Sequence, residues 1–182
     1  AHLSMIHGPD GQKLSKRHGS VNVMQYKEDG YLPESLNNYL SRLGWSHGDN
    51  EKFSMDKFCE WFDFKHVTSS PAQFDKTKLD WLNGEYIKEY DIDKLTEMAI
   101  IKFKQVNYPV DDTKLIRNAL SLYRDRETNL NQLFENIVYF VKKPDFNNEL
   151  EAKFINEESK KNIKALVESL QILSWKEVEI NQ

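Results

Sequence analysis

The sequence predicts a mainly α-helical protein with at most one short strand near its N-terminus. Apolar residues recur at helical spacing along most of the chain, as Leu36, Tyr39, Leu40 and Leu43 do. Convincing pairs of strand-like segments joined by hairpin dipeptides are absent from the sequence. A chain of 182 residues with 39% hydrophobic content can bury a substantial core, in one domain or two small ones.

The first twenty residues predict a strand followed by a loop. Residues 2–6 alternate loosely, which is typical of a short strand, although the sequence offers that strand no partner. The turn residues and basic residues of GPDGQKLSKRHGS predict a loop after it. Because residues 7–20 contain few apolar anchors, we expect this loop to be mobile.

Four helices are predicted up to residue 90. Gly30 is placed to end a short helix, and Pro33 suits the first turn of the next one. Ser54 is a candidate N-cap for the third helix. Asp75 caps the fourth, which we expect to stop at Gly84.

One cysteine and three tryptophans in this part of the chain are expected to pack inside. Cys59 has no second cysteine to form a disulfide or a zinc site with, and a buried thiol in an apolar helix is the expected role. Trp45, Trp61 and Trp81 stand in or beside apolar helical patterns. We expect them to pack in the core rather than stack on bases.

Longer helices are predicted in the second half of the chain, near residues 93–105, 112–125, 129–142 and 157–173. Ser174 and Glu177 have the spacing of a capping box, so another helix is expected to start near the end of the sequence. We therefore expect this sequence to be cut from a longer protein.

The basic loop has the composition of a polyphosphate site. Lys13, Lys16 and Arg17 supply positive charge between glycines, and Ser15 adds a hydroxyl group. It is not a P-loop, because the spacing of that motif is absent. Composition alone is equally compatible with a solvated basic loop.

The sequence of the loop and of its neighbours resembles a known family. KLSKR, residues 13–17, resembles the second signature of class I aminoacyl-tRNA synthetases. KLSKRHGSVNVMQY, GYLPESLNNYLSRLGWSHGD and SPAQFDKTKLDWLNGEYI occur in this order in bacterial glutamyl-tRNA synthetases. The resemblance is strong over residues 1–90 and concerns mainly helical layout beyond them.

This resemblance implies a domain organisation. Residues 1–20 would end a catalytic domain, 21–90 would form a helical stem-contact domain, and 91–182 would form an α-helical anticodon-binding domain truncated at its C-terminus. No HIGH-type motif and no βαβ pattern is present, so the resemblance implies that a Rossmann catalytic domain precedes this chain in the same protein. We expect the chain alone to bind tRNA(Glu) without catalysing the ligase reaction.

The resemblance also implies residue roles. Lys16 would be catalytic, steadying the phosphates of ATP while glutamate attacks to give glutamyl-adenylate. Lys13, Leu14, Ser15 and Arg17 would complete the ATP-binding set with it. ATP with magnesium is then the implied cofactor of the full-length enzyme, and no metal site is expected in this chain itself.

The helix predicted over 112–125 offers a face to RNA. At about 100° per residue, Ile116, Ala119, Leu120 and Tyr123 group on one side. Residues suited to solvent or RNA lie opposite, and the segment YRDRETN resembles the place where the family positions an arginine that inspects the third anticodon base. The candidates for tRNA binding are Lys114, Arg117, Arg124 and Arg126.

A second interpretation stays open, in which the chain is an independent α-helical RNA-binding or scaffold module. Basic and acidic residues are equally numerous beyond residue 100, so most of these charges can be solvated helix surface. The net charge of -4 argues against indiscriminate binding of nucleic acid. Without a membrane-spanning run or a signal peptide, we expect a cytoplasmic protein. We further expect it to be a monomer.

Overall fold

Helices form most of the structure. The computed structural model describes residues 4–15, 22–143 and 153–172. The chain divides into two units, Ala1–Lys142 and Lys143–Gln182. The helices of the first unit are α1 Val23–Glu28, α2 Pro33–Arg42, α3 Met55–Trp61, α4 Lys76–Glu89, α5 Ile92–Gln105, α6 Thr113–Tyr123, α7 Leu130–Asn136 and α8 Val138–Val141. The second unit contains α9, Glu157–Ile172. The predicted mainly α-helical fold is confirmed, while the capping box at Ser174 and Glu177 lies outside the described residues.

A short strand pair closes the N-terminal end of the first unit. Strands β1, Ile6–His7, and β2, Ala72–Gln73, are parallel, with Ile6 aligned to Ala72 and His7 to Gln73. The predicted N-terminal strand is present in part, but the expectation that it has no partner is wrong. Strand β2 lies in the segment SSPAQF, where no strand was predicted. A strand of two residues is too short to show an alternating pattern.

Polar side chains begin the helices where the sequence predicted them. The hydroxyl of Ser54 accepts a hydrogen bond from the Lys57 N–H at 3.2 Å, and the Asp75 carboxylate accepts one from the Lys78 N–H at 3.2 Å. Both caps satisfy a main-chain donor that the first helical turn leaves unpaired. Gly30 follows α1 with φ +89°, a conformation that glycine adopts without strain.

Gly84 does not end α4, contrary to the prediction. The helix continues to Glu89, and Gly84 lies within it against the main chain of Thr128. A Cβ added at residue 84 would lie 3.0 Å from Thr128 Cγ2 and 3.3 Å from Thr128 Cα. Glycine is used here for close approach of two backbones rather than for helix termination.

The buried face of α2 is more polar than its apolar spacing predicted. Leu40, expected inside, is 42% exposed, whereas Asn38 is 3% exposed. The amide of Asn38 accepts a hydrogen bond from the Phe53 N–H at 3.0 Å and donates one to the Glu51 carbonyl at 3.1 Å. These bonds hold the 51–53 segment against α2 and turn Leu40 toward solvent.

The main core lies where the end of α4 meets α5, α6 and α7. Its buried residues are Leu32, Ile87, Leu95, Ala99, Phe103, Ile116, Ala119, Leu120, Leu130, Leu133, Phe134 and Ile137. The packing face predicted for α6 is thus confirmed. The helix predicted over 129–142 is divided at Ile137, between α7 and α8, and this residue is fully buried.

A second cluster lies nearer the N-terminus. Its buried residues are Tyr31, Leu36, Tyr39, Phe74, Leu79 and Leu82. Beyond it, Trp45 is buried against Phe58, with ring centroids 5.1 Å apart, as expected. Trp81 is 46% exposed because it lies on the side of α4 roughly opposite to Leu79, so the prediction for this tryptophan is wrong. Cys59 is also exposed, because α3 turns the preceding Phe58 toward Trp45.

Candidate functional site

The described part of KLSKR folds back on β1. The Leu14 N–H donates to the Ile6 carbonyl at 2.9 Å, and Lys13 forms an antiparallel bridge with His7. The carbonyl of His7 accepts from the Phe74 N–H at 2.8 Å, so β1 is bonded to the loop and to the chain next to β2. The start of the motif therefore has a defined backbone position.

The side chain of Leu14 anchors the motif. It is half-buried and packs against the second cluster, which includes Tyr31 and Phe74. The expectation of few apolar anchors in residues 7–20 overlooked this contact, while the mobility of the loop stays a prediction. Burial of the leucine leaves the exposed side chain of Lys13, next to it in sequence, accessible to a ligand.

Lys13 fits a contact to a phosphate group. Its side chain is exposed, and among the described residues its ammonium has no hydrogen-bond or ion-pair partner. Ser15 beside it is half-buried. An ammonium on a fixed backbone can act as a point charge toward phosphate oxygens. Lys16 and Arg17, the other cations of the predicted ATP-binding set, lie outside the described residues.

Two of the three described histidines have side-chain partners other than metal ions. His47 stacks on Trp61, with ring centroids 4.5 Å apart and planes inclined by 7°, and His66 Nδ1 lies 2.8 Å from Asp63 Oδ1. Throughout residues 4–15, 22–143 and 153–172, no group of three or more His, Cys, Asp or Glu side chains is placed to hold a metal ion. None of the helices in these ranges combines the length and apolar character needed to span a bilayer.

The cations proposed for RNA contact differ in their surroundings. Lys114, in the first turn of α6, and Arg126, at the end of the 3₁₀ turn Arg124–Arg126, are exposed. Neither has a hydrogen-bond or ion-pair partner among the described residues. Arg117 is exposed as well, with its Nε 2.7 Å from Asp93 Oδ1. An exposed pair of this kind contributes little to stability, so Arg117 can exchange its carboxylate for a phosphate at small cost.

Arg124 is less accessible than the predicted α6 face required. Its side chain is only 29% exposed, and its Nη1 donates to the Tyr90 carbonyl at 3.3 Å. The prediction that the Arg124 side chain is exposed is therefore wrong. The chain tightens into the 3₁₀ turn after α6, and this turn directs Arg124 toward the end of α4. Its contact with RNA stays a prediction, but the structure gives it a role in packing.

A buried amide fixes the turn after α6. Asn83 is fully buried, and its Oδ1 accepts from the Leu32 N–H at 2.9 Å and from the Ser35 hydroxyl at 2.7 Å. Its Nδ2 donates to the Thr128 carbonyl at 2.7 Å and, more weakly, to the Gly30 carbonyl at 3.4 Å. We call these four contacts the Asn83 network. They join α4, the start of α2 and the turn that precedes α7.

Two further asparagines support the same junction. Asn129 caps α7 through the Asn131 N–H at 2.8 Å and donates to the Asp29 carbonyl, and the Asn131 side chain donates to the Glu28 carbonyl at 2.8 Å. This set was not predicted, because polar residues in a helix or loop normally face solvent. No periodic signal distinguishes an asparagine that bonds to main chain far along the sequence.

A pair of tyrosines lies close to the same turn. The hydroxyl groups of Tyr123 and Tyr139 are hydrogen-bonded to each other, and their rings are 6.3 Å apart and inclined by 73°. We call them the tyrosine pair. Neither was a candidate for RNA contact, since Tyr123 belongs to the predicted packing face of α6 and Tyr139 lies within the helix predicted over 129–142. The signal available in the sequence was the hydroxyl group of Tyr139, which stands within the otherwise apolar segment IVYFV.

Two family profiles match the chain in succession. Residues 1–81 match the catalytic domain of class I tRNA synthetases (E and Q), and residues 85–182 match an anticodon binding domain. The two matches meet within α4, beside Asn83 and Gly84. The helix that carries the Asn83 network thus joins the regions that the two profiles describe.

Curated relatives and solved structures agree with these profiles. The glutamate–tRNA ligase of Methylobacillus flagellatus is 47% identical over 182 residues, and that of Herminiimonas arsenicoxydans is 43% identical over 174 residues. The alignments cover 100% and 96% of this chain but only 39% and 37% of those ligases. A crystal structure of a glutamate tRNA ligase from Elizabethkingia meningosepticum in complex with its amino acid matches with a TM-score of 0.79 at 27% identity, covering 100% of this chain and 40% of that one. The resemblance that rests on KLSKR is thereby confirmed: this chain belongs to the glutamate–tRNA ligase family of class I tRNA synthetases.

Proposed function

We propose that this chain is the tRNA-binding part of a ligase that attaches glutamate to tRNA(Glu) through an ATP-derived glutamyl-adenylate. The match of residues 85–182 to an anticodon binding domain carries the proposal. Lys114 and Arg126 support it, because both are exposed and have no ion-pair partner in the part of the chain that the structure describes, and such cations can neutralise RNA phosphates. The names of the relatives support glutamate and tRNA(Glu) as the substrates.

We assign residues 1–20 to the end of the catalytic domain, 21–90 to the stem-contact domain and 91–182 to the anticodon-binding domain. The meeting of the two family matches near the middle of α4 supports a boundary in this helix or shortly after it. We also propose that the protein acts in the cytoplasm as a monomer. The rest of the catalytic domain would precede this chain in the full-length ligase.

The KLSKR loop would hold the phosphates of ATP in that ligase. The exposed ammonium of Lys13 and the backbone position set by β1 support this role. Lys16 is the catalytic contact, since a cation at the phosphates stabilises the charge that develops there, with Ser15, Arg17 and the main chain of Leu14 beside it. Magnesium would be held largely by phosphate oxygens. The chain by itself lacks the other half of this site and does not catalyse.

Binding of a tRNA(Glu) transcript to the purified chain tests the first proposal. We expect affinity that falls steeply with salt, and a logarithmic salt slope reduced in magnitude by about 1 in Arg126→Ala. Lys104→Ala is the matched control, because this exposed lysine lies at the other end of α5 from Asp93, the partner of Arg117. Absence of binding, or binding that does not respond to salt, would rule out the proposal.

The role of Lys16 is tested in the full-length ligase. Lys16→Ala should lower kcat for glutamate-dependent ATP–pyrophosphate exchange with little change in the Kd for tRNA(Glu), because the contact matters most as charge moves in the transition state. The 182-residue chain should show no exchange. Unchanged activation kinetics in the variant would refute the role, and exchange by the chain alone would refute its inactivity.

A further inference from the structure

Tyr139 differs from the other residues of α8. Val138, Phe140 and Val141 pack against the main core, whereas Tyr139 is 52% exposed. Helix α8 therefore packs against the main core through three of its four side chains. The fourth, Tyr139, presents an aromatic ring to solvent.

The tyrosine pair fixes the orientation of this ring. Tyr139 stacks on Phe140 with centroids 4.2 Å apart and planes inclined by 30°, and its hydroxyl is hydrogen-bonded to that of Tyr123. A ring that is already oriented loses little side-chain freedom when a ligand covers it. The exposed face is therefore prepared for stacking.

A cation lies next to the tyrosine pair along the chain and in the fold. Tyr123 ends α6 three residues before Arg126, whose guanidinium has no partner among the described residues. Asn136, one helical turn before Tyr139, donates to the Glu127 carboxylate at 2.7 Å. This contact holds the start of α8 beside the residue that follows Arg126. An aromatic face and a free positive charge therefore share one region of the surface.

The size and polarity of this region favour a nucleobase over a protein. A stable protein interface buries about 800 Å² on each partner, far more than one exposed tyrosine ring offers. One ring matches one base, and stacking of bases on aromatic side chains is a general mode of single-stranded RNA recognition. The adjacent guanidinium suits the phosphate that accompanies such a base.

We propose that Tyr139 stacks on one unpaired base of the anticodon loop, with Tyr123 holding its orientation and Arg126 contacting a neighbouring phosphate. The inference rests on the tRNA binding proposed above. It adds a residue, Tyr139, that distinguishes an unpaired loop from a paired stem. Contact to phosphate alone cannot do this, because both loop and stem carry phosphates.

The test uses the 182-residue chain and two RNA hairpins. One hairpin copies the anticodon arm of tRNA(Glu), and the other has abasic sites in place of the three anticodon bases. Unaltered chain should bind the first hairpin at least about 5-fold more tightly, because stacking of one base is worth at least about 1 kcal/mol. Tyr139→Ala should lower this ratio by at least about 5-fold, and Tyr139→Phe should preserve it because the ring remains. Phe64→Ala is the control, since Phe64 is an 82% exposed aromatic residue outside the tyrosine pair.

The outcomes separate this inference from the proposed function. If the unaltered chain binds neither hairpin, tRNA binding and the stacking role are both wrong. If it binds, and Tyr139→Ala keeps the full ratio or weakens both hairpins equally, only the stacking role is wrong. Arg126→Ala should weaken both hairpins by a similar factor and leave the ratio unchanged.

Discussion

The side-chain amide of Asn83 donates to the main-chain carbonyl of Thr128 at 2.7 Å, joining residues 45 positions apart in sequence. This bond attaches α4 to the turn before α7. Gly84 permits it, because the absence of a Cβ lets the backbone of Thr128 approach α4. The turn that follows Arg126 is therefore held by the middle of a helix.

Replacing Asn83 should destabilise the protein strongly. In Asn83→Ala, the Leu32 N–H loses its acceptor in a fully buried position, and the Ser35 hydroxyl loses one of its two acceptors there. We expect a loss of about 3 kcal/mol in the free energy of unfolding, measured with urea. Asn131→Ala is the control, because its bond to the Glu28 carbonyl is exposed and should be worth less than about 1 kcal/mol. Equal losses in the two variants would contradict the role assigned to the Asn83 network.

Gly84→Ala should also destabilise the protein, although alanine is the better helix former by about 1 kcal/mol. The new Cβ would lie 3.0 Å from Thr128 Cγ2 and force the turn away from α4. The double variant Gly84→Ala with Thr128→Ser should recover part of the loss, since serine lacks that methyl group. A gain in melting temperature for Gly84→Ala would show that the close approach is unimportant.

The two arginines of the 3₁₀ turn should respond in opposite ways. Arg124→Ala should lower the free energy of unfolding by about 1 kcal/mol, because it loses the bond to the Tyr90 carbonyl and the packing of a half-buried stem. Arg126→Ala should change stability by less than about 0.5 kcal/mol and weaken RNA binding instead. Denaturation and RNA titration of both variants check this division. It fails if Arg126 proves the more important residue for stability.

Buried tyrosines should make the protein sensitive to alkali. Burial raises the pKa of Tyr39 to about 12, while its unfolded value is about 10. The unfolded chain releases this proton first, so the stabilising contribution is complete below pH 10 and is lost as pH rises toward 12. The Tyr39 hydroxyl also donates to the Asp75 carbonyl at 2.9 Å and accepts from the Asp75 N–H at 2.7 Å.

Tyr39→Phe tests this origin of alkaline sensitivity. The variant should be less stable than the parent by about 1 kcal/mol near pH 8, because the Asp75 main chain loses its partner. The difference should shrink between pH 10 and pH 12, since phenylalanine cannot ionise. Urea unfolding at a series of pH values measures both. A constant difference across this range would mean that Tyr39 ionisation does not contribute.

Local signals were sufficient for most helix starts and for the core face of α6. Ser54 and Asp75 bond to main-chain donors three residues ahead, so the sequence window that predicts a cap contains the whole interaction. Gly84 and Leu40 were misjudged because their environments depend on Thr128 and on the 51–53 segment, which lie outside any local window.

In the candidate site, too, local sequence predicted some features, and others depend on residues that are distant in sequence. KLSKR could be recognised because its residues are consecutive, and exposure of Lys114 and Arg117 followed from helical period. The burial of Arg124 depends on a carbonyl of α4, and the tyrosine pair depends on the packing of α8 against α6. Those contacts join residues that only the folded chain brings together.

The length of helix α4 fixes the distance between two parts of the fold. It runs without interruption from Lys76, just after β2, to Glu89, and its 14 residues span about 21 Å. Strand β2, at one end of this helix, pairs with the strand that positions KLSKR, and the Asn83 amide within the helix holds the turn after α6. The number of residues between them therefore sets the distance between these two parts of the fold. Inserting or deleting one residue between Asp75 and Asn83 would rotate the amide by about 100° away from Thr128. This helix consequently tolerates substitutions at exposed positions but not a change of length.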